Sequence, residues 1–238
     1  MKSYGQYCGL ARALDVIGDR WVLLIVRELL DGPRRYAELL DGLPGIATNL
    51  LVDRLRSMET SGLLARQDDG RYALTSRGEA LNDVVYAMGR WAGPLMLRPP
   101  GDDAFRSHWF RHMVVVRFEG VDPRRGNLVL EIHSGDEPMT LISAGGRVHM
   151  VRGRVDKPDI VLAGPPEGVV GVIVGAFPPA EAAARGVSIV GDARKLKRLR
   201  PAYRSAPVTA TAKAPEATTT ASPPRASRTS GSRRHQRD

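Results

Sequence analysis

The segment PGIATNLLVDRLRSMETSGLLAR, residues Pro44–Arg66, decides the fold of the first part of the chain. Within it Leu51, Leu55 and Met58 recur at helical spacing, so we predict one helix with a buried face between two glycines. The opposite side of the helical wheel carries a mixed set of side chains, namely Asn49, Val52, Asp53 and Arg56. Solubility alone explains exposed charge, so the neighbouring elements must decide what this mixed side is for.

The neighbouring elements predict a winged helix-turn-helix. Tyr36–Leu40 is a short predicted helix, a Leu-Pro-Gly turn follows it, and Leu63–Arg66 and Tyr72–Thr75 flank QDDGR as a hairpin. In such a motif the second helix enters the major groove of DNA through its N-terminal half. Asn and Arg can bond adenine and guanine edges in pairs, and valine can contact a thymine methyl group. The alternative is a plain amphipathic helix in a small helical domain.

The predicted DNA contacts divide into base and phosphate contacts. Arg34 and Arg35 precede the motif and favour phosphate contact, which positions a protein without reading sequence, with a solvated pair as the alternative. Arg54 lies beside the core face and can pair with an internal acid as readily as with phosphate. Asp68 and Asp69 at the wing tip disfavour phosphate, so the wing arginines are expected to make the backbone contacts. The predicted DNA-binding residues are Arg34, Arg35, Thr48, Asn49, Val52, Asp53, Arg54, Arg56, Arg66 and Arg71.

The remaining predicted helices of this part are Cys8–Ile17, a central buried helix at Arg20–Leu30, and a long helix that ends near Leu97. Ser76 and Glu79 form a predicted capping box at the start of the long helix. At 1.5 Å per residue this helix is about 30 Å long, too long for a small winged domain to cover its apolar stripe. We therefore predict a homodimer, with packing against a second domain as the alternative. The stripe comprises Leu81, Val84, Val85, Met88, Trp91, Ala92 and Leu95.

Residues from Tyr7 to about Leu97 resemble the HxlR family of bacterial transcriptional regulators. The segments GDRW, GPRRYAEL and LPGI carry the resemblance, together with LLVDRLRSMETSGLLAR and YALTSRGEAL. It implies a dimeric DNA-binding regulator, commonly autoregulatory or acting on a neighbouring gene. The chain departs from the family at Ala47-Thr48, where Ser and Pro usually start the recognition helix. Alanine is a poor N-cap, and capping by Thr48 would shift the helix start by one residue.

The single cysteine, Cys8, opens the first predicted helix, where a helix N-terminus lowers a thiol pKa. Regulators that this chain resembles sometimes sense oxidants or electrophiles through a cysteine at this place. The alternative is an inert cysteine packed in the dimer seam. His108 and His112 are four residues apart and form only a weak metal pattern, so we predict no metal site, no cofactor and no catalytic constellation.

Composition shifts twice along the chain. The stretch LRPPGDD indicates a linker, and after about Arg204 the chain is rich in Ala, Thr, Ser, Pro and Arg, which predicts disorder. We predict an α+β protein with a winged helix-turn-helix and dimerisation helix at 1–98, a linker at 99–104, a sterol-carrier-like domain at 105–203 and a disordered basic tail at 204–238. Predicted strands in the third segment are Met113–Phe118, Asn127–His133, Met139–Ser143, Val148–Val151, Ile160–Leu162 and Val187–Val190, and predicted helices are Gly168–Ala176, Ala180–Arg185 and Ala193–Arg200.

The stretch PDIVLAGPPEGVVGVIVGAFPPAEAAARGVSIVGDARKLKRL resembles the sterol-carrier-like fold. The resemblance implies a hydrophobic cavity between sheet and helices that takes a lipid-like molecule. Gly171 and Gly175 thin one side of the apolar run from Val169, which leaves room for another group. The alternative is a closed core that serves only as a scaffold. The predicted pocket residues are Leu128, Leu130, Ile132, Val169, Gly171, Val172, Ile173 and Phe177.

The net charge of +9 is no argument for DNA binding by the first part, because residues 1–98 carry 13 basic and 12 acidic side chains. MKSYGQYCGL lacks the apolar core of a signal peptide, and Trp21–Val26 is far too short to span a bilayer. We expect a cytoplasmic repressor that binds double-stranded DNA, without membrane association. The alternative function is an apolar-ligand carrier in which the winged domain is an interaction module.

Overall fold

The computed structural model describes residues 3–97, 100–112, 118 and 122–199. Its first half is helical with a small hairpin, in the order of a winged helix-turn-helix. The elements are α1 (Gly9–Ile17), α2 (Val22–Leu29), α3 (Tyr36–Asp41), α4 (Thr48–Thr60), β1 (Leu64–Arg66), β2 (Tyr72–Leu74), α5 (Ser76–Glu79), α6 (Asn82–Ala92) and a 3-10 helix at Gly93–Leu97.

The core of the first half forms around α2, whose apolar residues were expected to be central. Val22, Ile25, Val26 and Leu29 of this helix are buried, together with residues of α3, α4 and the start of the wing. The turn between α3 and α4 needs Gly45, whose φ of +86° is accessible to glycine without strain. This turn fixes the angle at which α4 leaves the core.

The wing is a short antiparallel hairpin with a third strand-like partner. Leu64 pairs with Leu74 and Arg66 with Tyr72 in the β1–β2 ladder. Arg34 extends this sheet, because its N–H donates to Tyr72 O at 3.0 Å and Tyr72 N–H donates back at 2.8 Å. The wing is thereby attached to the residue that precedes α3.

The single long helix predicted from Ser76 to Leu97 is wrong. The chain forms α5, turns at Ala80 and Leu81, continues as α6 and ends in the 3-10 helix. Thr75 caps α5 rather than Ser76, with its Oγ1 accepting from Gly78 N–H. Gly78 packs closely against the Leu63 carbonyl of the wing, whereas Leu81 packs on the core of the first half. The turn lets the chain satisfy both contacts.

The second half is a five-stranded sheet in the order β5-β4-β3-β6-β7. Its strands are β3 (Leu128–His133), β4 (Pro138–Ala144), β5 (Arg147–Arg152), β6 (Ile160–Ala163) and β7 (Ser188–Gly191). β3 pairs in parallel with β6, and the other pairs are antiparallel. Helix α7 (Pro166–Val174) lies between β6 and β7, and it shares a separate buried core with the sheet.

Some predicted elements of the second half differ from the structure. The predicted helices Ala180–Arg185 and Ala193–Arg200 are 3-10 helices at Pro179–Glu181, Ala183–Arg185 and Ala193–Leu199. The predicted strand Met113–Phe118 falls largely outside the described residues, although Phe118 is helical and buried. The predicted tail from 204 onward also lies outside them. In the described part of the chain, no helix is both long and apolar enough to cross a membrane.

Candidate nucleic-acid interface

Helix α4 presents to solvent the side that the helical wheel predicts. Leu51, Leu55 and Met58 are buried in the core. On the other side, Asn49, Asp53 and Arg56 are exposed and Val52 is half-buried. The helix therefore presents amide, carboxylate and guanidinium groups on one open face, while Leu51, Leu55 and Met58 pack in the core.

The N-terminal end of α4 is held by α3 rather than by a capping side chain. Ala47 is the N-cap and makes no side-chain capping bond, so Thr48 is the first helical residue. The Tyr36 hydroxyl donates to Thr48 O at 2.9 Å, which ties the two helices of the motif together. The Asn49 Oδ1 accepts from the N–H of Leu50 at 2.9 Å, and the residue is exposed. Base recognition by both ends of this amide requires the side chain to leave that local bond.

Arg54 does not belong to the open face. Its Nη2 lies 2.6 Å from Asp19 Oδ2, and both side chains are half-buried. Of the two predicted alternatives for Arg54, the structure contains the internal pair. This ion pair joins α4 to the segment between α1 and α2, so we remove Arg54 from the predicted DNA-contacting set.

The arginines around α4 differ in availability. Arg35 is exposed, and its backbone N–H donates to Glu38 Oε2 at the start of α3. The Arg34 side chain is largely buried, with Nη2 3.9 Å from Asp31 Oδ2. In the wing Arg66 is exposed, whereas Arg71 Nε lies 3.3 Å from Asp69 Oδ2. Arg35 and Arg66 are therefore the flanking cations with open side chains, and Arg71 must leave an acid before it contacts phosphate.

Cys8 is exposed at the N-cap of α1. The backbone N–H groups of Ala11 and Leu10 lower the pKa of its thiol, with the Ala11 bond the larger cause. Apolar residues close to Cys8 in the chain are also exposed, namely Tyr7 at 95% and Leu10 at 69%. The thiol thus has exposed apolar side chains as its neighbours along the chain.

Helix α6 and the 3-10 helix that follows it also expose apolar side chains. Helix α6 contains no fully buried residue, and exposed fractions reach 52% for Met88 and 78% for Trp91. Val84 and Leu95 are also exposed, while Leu81 and Val85 pack on the core. Of the seven residues of the predicted stripe, two therefore pack on the subunit's own core, four form the open stripe and Ala92 is half-buried.

The residues predicted to line a lipid pocket are packed together in the second half. Leu128, Leu130 and Ile132 of β3 and Val169 of α7 are fully buried in one core, and Val172 and Ile173 of α7 are nearly so. A Cβ built at Gly171 would collide with the ring of Phe177. The space that the glycine leaves is thus filled by the chain's own Phe177 in this structure.

Sequence reasoning missed a buried polar cluster between α2 and the second half. Glu28 is 1% exposed. Its Oε1 accepts from Trp109 Nε1 at 2.9 Å and from Arg27 Nε at 3.0 Å, and its Oε2 lies 2.7 Å from His108 Nε2. Burial alone would raise the pKa of Glu28, but these bonds outweigh it and the pKa is lowered. A charged pair inside the predicted buried helix, Arg27-Glu28, was the available sequence signal.

The two histidines considered as metal ligands have different surroundings. His108 bonds to Glu28, whereas both ring nitrogens of buried His112 lack a hydrogen-bond partner among the described residues. Burial lowers the pKa of His112 to about 4. In the described ranges no group of three or more His, Cys, Asp or Glu side chains is arranged to hold a metal ion.

Comparisons with known proteins concern the first half. A family model described as HxlR-like helix-turn-helix matches residues 16–98. An uncharacterised HTH-type transcriptional regulator of Synechocystis is 38% identical over 90 residues, which are 35% of this chain and 67% of that protein. The HTH-type transcriptional regulator YodB of Bacillus subtilis is 34% identical over 96 residues, which are 38% of this chain and 84% of YodB. The crystal structure of quinone-bound YodB matches 37% of this chain and 98% of its own, with 35% identity and a TM-score of 0.35.

Proposed function

The chain belongs to the HxlR-like helix-turn-helix family of DNA-binding transcriptional regulators, and on this premise we propose that it is a repressor that reads its operator through the open face of α4. The observation that carries the proposal is the division of α4 into a buried apolar side and an exposed polar side. Asn49 and Arg56 are the base-reading residues of this proposal, since amide and guanidinium groups bond base edges in pairs. Val52 and Asp53 lie beside them, and Arg35 and Arg66 contact the phosphates on either side.

The experiment is a fluorescence-anisotropy titration of the full chain with the DNA upstream of its own gene, against a shuffled duplex. Asn49→Ala and Arg56→Ala should each cost about 1–3 kcal/mol at the specific site and relax the base preference there. Unchanged specific affinity in both variants would make the groove assignment wrong. Reporter transcription that rises in a deletion strain supports repression, and transcription that falls indicates activation.

We also propose that the regulator binds as a homodimer joined through α6. The stripe of Val84, Met88, Trp91 and Leu95 supports this, because a monomer leaves these side chains in water. A two-fold dimer places two copies of α4 on one duplex, so the operator should be a near-palindrome with half-sites about 34–36 Å apart or a multiple of this. Light scattering that gives a monomer mass at micromolar concentration, with and without DNA, would contradict the dimer.

For the second half, we propose a sterol-carrier-like fold with an apolar ligand as one input to the regulator, and Cys8 chemistry as another. The exposed Cys8 thiol and its lowered pKa support the second input. For the first input, a lipid that enters beside Gly171 must displace the ring of Phe177. Native mass spectrometry of the purified protein tests for a co-purified lipid, and Phe177→Ala should increase its uptake. A lipid that binds without changing operator affinity would instead favour the alternative function, an apolar-ligand carrier.

A further inference from the structure

A cleft of about 450 Å³ lies between the helix-turn-helix and the segment that enters the second half. This volume is in the range of small-molecule sites in proteins. The helix-turn-helix supplies one wall from α2 and from the turn before α4, and the entering segment supplies the other. The lining residues are Trp21, Leu24, Arg27, Leu43, Pro44, Asp103, Ala104 and Trp109.

The wall from α2 combines two apolar side chains with one guanidinium. The core of the first half takes one side of this helix, including Val22, Ile25 and Leu29. Trp21, Leu24 and Arg27 follow one another at three-residue spacing and line the cleft. Trp21 and Leu24 are only half-buried. The Arg20 guanidinium lies over the Trp21 ring, 5.7 Å from its centroid, so the rest of this indole and Leu24 provide the contact surface for a flat apolar molecule.

The opposite wall is held in place before any ligand arrives. Trp109 Nε1 donates to the buried carboxylate of Glu28, and the Arg27 guanidinium lies 4.2 Å from the centroid of the Trp109 ring. Phe105 meets the same indole edge-on, with ring centroids 6.2 Å apart. A wall fixed on several sides loses little conformational entropy when a ligand binds against it.

Two polar groups determine which ligand chemistry fits. Arg27 uses Nε and Nη2 for Glu28 and for the carbonyl of Gly42, so Nη1 is the atom we assign as a ligand donor. The exposed carboxylate of Asp103 supplies an acceptor. Glu28 balances the charge of Arg27 at 2.8 Å. A ligand anion would therefore gain little from Arg27 while facing Asp103, whereas a neutral ligand that carries both an acceptor and a hydroxyl satisfies both groups.

We propose that this cleft binds a neutral, flat aromatic molecule of about two fused rings, with a carbonyl-type acceptor at one end and a hydroxyl donor at the other. The rings lie against Trp21 and Trp109, the acceptor receives a bond from Arg27, and the hydroxyl donates to Asp103. Leu43 and Pro44 belong to the turn that leads into α4, so a bound molecule touches the segment that sets the recognition helix. The binding step is independent of the proposed DNA function, because it is measured on the free protein.

The test uses 7-hydroxycoumarin as the probe and the indole N–H signals of the 15N-labelled full chain as the readout. The chain has three tryptophans, which single Trp→Phe variants assign. We expect the signals of Trp21 and Trp109 to move together and saturate with one probe per chain, while the signal of Trp91 on α6 stays in place. Movement of all three alike, or of none at millimolar probe, would overturn the proposal.

Variants test the position and the chemistry separately. Ala104→Phe fills the cleft and should abolish the shifts, whereas Ala184→Phe, the same change at an exposed alanine of the second half, should leave them intact. Asp103→Ala should weaken 7-hydroxycoumarin by about threefold or more and leave coumarin, which lacks the hydroxyl, unchanged. Normal binding by Ala104→Phe would exclude this cleft. An equal effect of Asp103→Ala on both probes, or an effect on neither, would overturn the assigned donor contact.

Discussion

Helices α4 and α6 both leave one side uncovered, but the chemistry of the two open sides is opposite. In α4 the apolar residues Leu51, Leu55 and Met58 are in the core, and the open side is polar. In α6 no residue is fully buried, and Met88 and Trp91 are in the open stripe. A polar face is stable in water until DNA arrives, whereas an apolar stripe gains free energy whenever a partner covers it. Exposure alone therefore does not identify a binding face, and the residue types indicate which partner it takes.

The largest expected effect is loss of the dimer when the α6 stripe becomes charged. The double variant Met88→Glu, Trp91→Glu removes two apolar side chains that a two-fold dimer buries twice. Full burial of each is worth about 1.5–3 kcal/mol, so the dimer dissociation constant should rise by about three orders of magnitude or more. Sedimentation velocity measures this, with the double variant Ala183→Glu, Ala184→Glu at exposed alanines of the second half as the charge-matched control. A variant that remains dimeric would remove α6 from the interface.

The second half also touches α6, on a side that the open stripe does not use. The rings of Tyr86 and His112 have centroids 6.1 Å apart. Burial holds the pKa of His112 at about 4, with Arg27 and Arg111 lowering it further and Asp31 and Glu28 opposing them. Its ordinary pKa is about 6.5. Between pH 6.5 and 4 the histidine is therefore protonated in the unfolded chain but neutral in the folded chain. The free energy of unfolding falls as the pH falls through that range.

We accordingly expect His112 to cost the protein about 3 kcal/mol of unfolding free energy as the pH falls from 7 to 4. His112→Phe keeps an aromatic ring beside Tyr86 and should flatten the profile between pH 6.5 and 4.5. Below about 4.5 the carboxylates with lowered pKa, Glu28 among them, begin to contribute to the loss. Urea unfolding at fixed protein concentration measures the profile, and exposed His149→Phe is the control. An equal slope in wild type and His112→Phe would mean that His112 is not buried in its neutral form.

Arg54 and Arg56 of α4 test whether the open face of this helix, and not its whole surface, contacts DNA. Arg56 is on the open face, and Arg54 pairs with Asp19. Arg56→Ala should lose about 1–3 kcal/mol at the operator and leave the unfolding free energy nearly unchanged. Arg54→Ala should do the reverse, lowering the unfolding free energy by about 1 kcal/mol without relaxing base preference. If Arg54→Ala changes the preferred bases, the Asp19 pair opens when DNA binds.

The spacing of apolar residues predicted the positions of most helices and strands, because a buried core requires that spacing. The positions of α2, α4, the wing and strands β3 to β7 agree with the spacing of their apolar residues to within a few positions. The break between α5 and α6 was missed, because it arises from the contact of Gly78 with the wing carbonyl of Leu63. No pattern within the segment encodes that long-range contact.

The candidate site shows the same limit at the level of side chains. The helical wheel identified the open face of α4, since one face must be buried. It did not decide whether Arg54 pairs with an internal acid or with phosphate. In the structure Arg54 pairs with Asp19, which lies 35 positions earlier in the chain. The glycines of α7 indicated room for a group, but the residue that fills it, Phe177, comes from the chain itself. Partners distant in sequence cannot be read from composition or spacing.

The smallest expected effect concerns Arg35, an exposed cation that flanks α4. A phosphate contact carries no base information, so Arg35→Ala should weaken specific and non-specific duplexes alike. The slope of log affinity against log salt should fall by about 1, since one fewer counterion is released. Anisotropy titrations on both duplexes over a range of salt measure this, with Arg56→Ala as the contrasting variant. A loss confined to the specific duplex would make Arg35 a base-reading residue and extend the reading face beyond α4.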